Sequence, residues 1–126
     1  MHQPRWQLWT GHVLAVLAAI SIGGAGAAKL ASTAELVGNF QRWGFPWWFV
    51  YLTGLLEVAG ALLILPPKTR IYGATLLAAT MVGAIGTHLS AGETGEIVAP
   101  LVLGGIAAAS GVLAWRRQFS YPPLRP

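Results

Sequence analysis

The chain has 126 residues, of which 55% are hydrophobic and only 10% charged, and its mean hydropathy of +0.59 is too apolar for a soluble domain of this length. The formal charge of +4 is scattered over segment ends instead of forming a basic stripe, which argues against nucleic acid as a partner. Cysteine is absent, which excludes disulfides, thiolate nucleophiles and cysteine-ligated metal or iron–sulfur centres within this chain.

Four apolar runs, at 8–28, 47–65, 71–89 and 97–115, are long enough at about 1.5 Å per residue to cross a hydrocarbon core of about 30 Å. They predict an all-α integral membrane protein, a single domain of four transmembrane helices in an antiparallel bundle. Ala25-Gly26-Ala27 gives the first run the small-x-small look of a signal-peptide cleavage site. Its weak basic flank and overlong apolar core favour a retained helix instead.

The connection at 29–46 is the one long loop. Thr33 can cap a short helix with Leu36, Phe40 and Trp43 at i, i+4 and i+7, which Gly44 and Pro46 would stop. Such a helix would lie on the outer leaflet. The alternative is that the first transmembrane helix runs on past Lys29, with Ala28, Lys29 and Leu30 as its last buried turn.

Downstream, Pro66-Pro67-Lys68-Thr69 reads as a tight turn with Thr69 capping the next helix, and Pro100 falls in the first turn of the last one. The tail 116–126 is basic, aromatic and proline-rich, suited to the inner leaflet or to disorder. Arg5, Lys68, Arg70, Arg116, Arg117 and Arg125 gather on one side, leaving Lys29 and Arg42 opposite with Glu35, Glu93 and Glu96. This bias puts both termini in the cytoplasm of a multi-pass cell-membrane protein.

The second run contains a single formal charge, Glu57, near the bilayer midplane. A carboxylate there costs several kcal/mol unless it is protonated, paired or wet. Val50, Thr53, Gly54, Gly60, Ala61 and Ile64 share its helical face, and their mostly small side chains turn Glu57 toward protein and not lipid. Cohesion should come from such close contacts: Ala15, Ala19, Gly23 and Ala27 in the first run, Gly54, Gly60 and Ala61 in the second, Gly83 and Gly86 in the third, Gly105 and Ala109 in the fourth.

Glu57, with His88 or Lys29, could form a proton relay or the polar end of a pocket for an apolar ligand such as a quinone, and the hydroxyls of Thr80 and Ser21 complete that set. The plainer alternatives are a structural carboxyl that fixes helix register and, for His88, a ring that caps its helix C-terminus. His12 reads as interfacial. His2, His12 and His88 have no ligand spacing, so no metal is expected, and no catalytic fingerprint occurs.

Gly44-Phe45-Pro46, the segment from Gly54 through Glu57 to Leu63, Pro66, and Met81 through Thr87-His88-Leu89 together resemble the DoxX-like membrane proteins. Lys29-Leu30 and Pro100 fit the same pattern. The resemblance covers nearly the whole chain and implies a four-helix membrane bundle, with Glu57, His88 and Lys29 as the residues carried over. Relatives of this broad group include a membrane subunit of a thiosulfate:quinone oxidoreductase, partners of redox enzymes, and proteins that assist receptor assembly. The expectation is therefore an accessory or anchor subunit of a membrane oxidoreductase system, with a quinone as cofactor or ligand. Its partners would be the lipid bilayer, other membrane subunits and further copies of itself. The alternatives are a non-enzymatic scaffold that binds other transmembrane helices and a proton-coupled transporter of a small solute.

Overall fold

The computed structural model describes residues 2–120, and every regular element in it is helical. In chain order these are α1 (Arg5–Ala31), α2 (Ala34–Arg42), α3 (Phe49–Ile64), α4 (Arg70–Ser90), a 3-10 turn (Thr94–Ile97) and α5 (Val98–Phe119). α1, α4 and the segment Thr94–Phe119 are each long and apolar enough to cross a membrane. The run at 47–65 yields a shorter helix of 16 residues, about 24 Å long at 1.5 Å per residue. It starts late because Trp47 and Trp48 belong to the turn after Pro46, whose carbonyl accepts from Phe49 N–H at 3.1 Å.

Both readings of the loop at 29–46 hold in part. α1 runs past Lys29 to Ala31, and a separate α2 follows, its N–H at Leu36 bonded to Thr33 Oγ1 at 3.3 Å. α2 ends in a Schellman motif: Gly44 sits at φ +93, with Phe45 N–H bonded to Phe40 O and Gly44 N–H to Gln41 O, both at 3.0 Å. α4 ends the same way around Gly92, at φ +73, with Glu93 N–H on His88 O at 2.8 Å. At the other end, α5 takes in Arg116 and Arg117, so the tail begins later than the composition suggests. The remainder of that tail, with Arg125, lies outside the described residues.

α1 packs on α3 and α5, and α4 packs on α3 and α5, while α1 and α4 scarcely meet. The four long helices thus close a ring in the order α1, α3, α4, α5. Its centre is filled by Ala15, Ala18, Ala19, Ile22, Ala61, Ile64, Ala74, Leu77, Met81 and Ala107. Val13, Ile20, Leu55, Leu62, Val82 and Leu101 point outward, the apolar perimeter of a chain whose solvent is lipid.

Small residues set the close approaches, though not everywhere expected. A Cβ on Gly60 would stand 2.5 Å from Leu77, and one on Gly23 would stand 2.8 Å from Ala61. In α1 the four-residue repeat drifts by about 40° per step on a 3.6-residue helix, so Ala27 is exposed and Gly26 is buried in its place. Gly105 and Ala109 are also exposed; the inner face of α5 carries Pro100, Ala107, Ser110 and Ala114. Gly83 and Gly86 face open space, since a Cβ on either would meet nothing within 4 Å.

The turn before α4 is tied by side chains. Thr69 does not cap α4; its hydroxyl donates to Leu63 O at 2.6 Å. Arg70, which charge counting assigns only to one side of the membrane, is 4% exposed. It donates to Ile64 O at 2.8 Å and Leu65 O at 2.6 Å, and its Nη1 lies 3.1 Å from His12 Nδ1. Because arginine is always the donor, His12 accepts here as a neutral ring.

Candidate functional site

The face of α3 that carries Glu57 is the buried one: Val50, Gly54, Glu57, Gly60, Ala61 and Ile64 are all inside, and Glu57 is 2% exposed. Its partner comes from the last turn of α1. Lys29 Nζ donates to Glu57 Oε1 at 3.0 Å and to Oε2 at 3.1 Å. Two glycines permit this reach. A Cβ on Gly26 would stand 2.7 Å from Glu57 Cβ and 2.8 Å from Gly54 O, and one on Gly54 would stand 2.9 Å from Lys29 Cβ. The α1–α3 seam is therefore backbone against backbone at the level where the two charges meet.

The pair forms one wall of a cavity of about 560 Å³. α1 contributes Ile22 and Ala25, α3 contributes Phe49, Thr53 and Leu56, α4 runs from Leu76 to His88, and Pro100 and Leu103 close it from α5. α2 and its linker cover the cavity with Leu36, Phe40, Trp43 and Phe45. Phe45 stacks on Phe49 at 4.5 Å, and Phe40 leans on Trp43, Phe45 and Phe49. Apart from the ion pair the lining is apolar, with the hydroxyls of Thr53, Thr80 and Thr87 and the ring of His88 spaced along it.

His88 shares this cavity with Glu57, but its own partner is Glu93. The Schellman turn at Gly92 brings Glu93 back over His88, and Nδ1 lies 3.6 Å from Glu93 Oε2, too far for a hydrogen bond. Nδ1 is buried with no hydrogen-bond partner among the described residues. Glu93 in turn fastens α2: Trp43 Nε1 donates to its Oε1 at 2.7 Å and Arg42 Nη1 at 3.2 Å, while the Trp43 and His88 rings meet edge to face at 5.2 Å. The Trp43 bond, then Arg42 and His88, hold the Glu93 carboxyl below its ordinary value of 4.5, against some opposing desolvation.

Of the residues singled out in the sequence, Lys29, Glu57, Thr80 and His88 line one cavity, and Gly54, Gly60 and Ala61 pack the seams around it. Ser21 is exposed and takes no part. Gly83 and Gly86 abut no other helix of this chain among the described residues; both line a neighbouring pocket of about 460 Å³ with Arg42, Trp43, Phe45 and Thr87. Sequence reasoning missed Gly26, Thr53, Trp43 and Glu93. The signal for the last two was present in Trp43-Gly44 and Gly92-Glu93, a glycine stop beside a group able to hydrogen bond.

Long apolar helices packed on an aliphatic core, with an ion pair held in one seam and an aliphatic perimeter, define a helical membrane protein in contact with lipid. The chain belongs to the DoxX-like family, which residues 13–110 match. The matched segment holds Lys29, Glu57, Thr80, His88 and Glu93. No curated protein and no solved structure matches the chain.

Proposed function

We propose that this protein crosses the membrane four times with both termini in the cytoplasm, and that it serves as the non-catalytic membrane subunit of an oxidoreductase system, holding a quinone-like molecule between α1, α3 and α4. The observation that carries the reading is the cavity of about 560 Å³, apolar except where the Lys29–Glu57 pair and a few hydroxyls enter it. That volume and polarity suit a small ring with an apolar tail. The chain has no cysteine, so electrons would come from a bound cofactor or from a partner protein.

The orientation is supported by the two ends of the ring. Arg5, Lys68, Arg70, Arg116 and Arg117 share one end, tied together by Arg70 to His12 and by Arg117 to Pro67 O at 2.7 Å. The end covered by α2 carries Glu35, Glu93 and Glu96 beside Arg42. This is the arrangement the positive-inside bias requires. α3 is short for a crossing, yet it is apolar apart from its paired acid and sits between α1 and α4.

The test is titration of the purified protein in detergent with decylubiquinone, followed by tryptophan fluorescence, since Trp43 lines the cavity. Saturable quenching that Ala84→Phe abolishes by filling the space is the expected result. Quenching that rises without saturation, equally in both proteins, would show simple partitioning into the micelle and reject the reading.

A further inference from the structure

We infer that the cavity selects a neutral head group that donates hydrogen bonds, a hydroquinone or other phenol in preference to the quinone; the inference rests on the cavity being a ligand site, as proposed above. It follows from counting donors and acceptors on the wall. Thr53 gives its one hydroxyl proton to Phe49 O at 2.9 Å, Thr80 to Leu77 O at 2.8 Å and Thr87 to Gly83 O at 2.9 Å. Each oxygen is left able only to accept. Trp43 N–H is likewise committed, to Glu93.

Glu57 accepts twice from Lys29 and keeps unused lone pairs, while Lys29 has spent two of its three N–H groups. His88 holds Nδ1 toward the Glu93 carboxylate. Among these groups the wall therefore offers one spare donor, on Lys29, against acceptors on Thr53, Thr80, Thr87 and Glu57. Its two formal charges cancel, so an ionic head finds no net counter-charge.

A quinone carries only acceptors. Its two carbonyls would compete for the Lys29 proton, and the hydroxyl oxygens would stay unpartnered in apolar surroundings, where an unmade hydrogen bond is costly. A hydroquinone turns both oxygens into donors and matches the wall. Sites lined for one hydrogen-bonding pattern reject ligands that lack it more strongly than they reject ligands of the wrong size.

The experiment compares three probes on the purified full-length protein under anoxia by isothermal titration: decylubiquinol, decylubiquinone and the dimethyl ether of decylubiquinol. The expected order puts the quinol about tenfold or more tighter than the other two, the size of one or two lost hydrogen bonds. Thr80→Val, which keeps the shape and removes the oxygen, should weaken the quinol alone. Equal affinities for all three, or an equal effect of Thr80→Val on each, would overturn the donor preference and leave the cavity a ligand site. Absence of saturable binding by any probe would overturn the proposed function and this inference with it.

Discussion

The α1–α3 seam and the face of α4 beneath α2 are both rich in glycine, and they use it in opposite ways. At Gly26 and Gly54 there is no room for a methyl group, because the neighbouring backbone and the stem of the ion pair already fill the space. At Gly83 and Gly86 there is room on every side, and the helix forgoes about 1 kcal/mol per position relative to alanine while two pockets border it. One seam is closed to bring two charges together. The other is left thin beside a cavity.

Mutations should break that contrast in a definite order. The largest effect belongs to Glu57→Leu, which leaves the Lys29 cation without its counter-charge and should lower stability by about 3 kcal/mol or more. The double variant Lys29→Met with Glu57→Leu should recover most of the loss, as read by thermal unfolding in detergent. Next comes Gly26→Val, which drives a side chain into Glu57 and Gly54 and should cost about 1–3 kcal/mol. In the same assay Gly83→Ala and Gly86→Ala should be neutral or gain up to about 1 kcal/mol each. If Gly83→Ala destabilised the protein as much as Gly26→Val, the two faces would not differ as described.

The smallest effect concerns how α2 is held. Glu93 has a lowered native pKa because Trp43 and Arg42 favour its charged form, so its contribution to stability is fully present above 4.5 and is lost as pH falls through the lowered value. The thermal midpoint, followed from about pH 6 to about pH 3, should drop in the wild type more than in Glu93→Gln. Parallel curves would mean that Glu93 does not hold α2.

The sequence made Glu57 legible because an acid in an apolar helix is expensive, and the small residues on its flank gave its direction. The choice of Lys29 over His88 as its partner was not legible. It depends on α1 continuing to Ala31 and on Gly26 sitting opposite Gly54, and the four-residue repeat pointed to Ala27 instead. The open space at Gly83 and Gly86 was not legible for a related reason: a glycine records that something small is needed without saying whether a neighbour or a space is the cause. Arg70 was read as a topology charge because burial by a turn cannot be seen in a count of cations.

That turn has a consequence for the hairpin it joins. Leu63, Ile64 and Leu65 present the carbonyls that a helix end leaves over, and Thr69 and Arg70, five or six residues on, donate to all three. In a medium without water such groups must be met inside the protein. Since donors and acceptors here come from one short stretch, the α3–α4 hairpin can close its own corner without a group from any other helix.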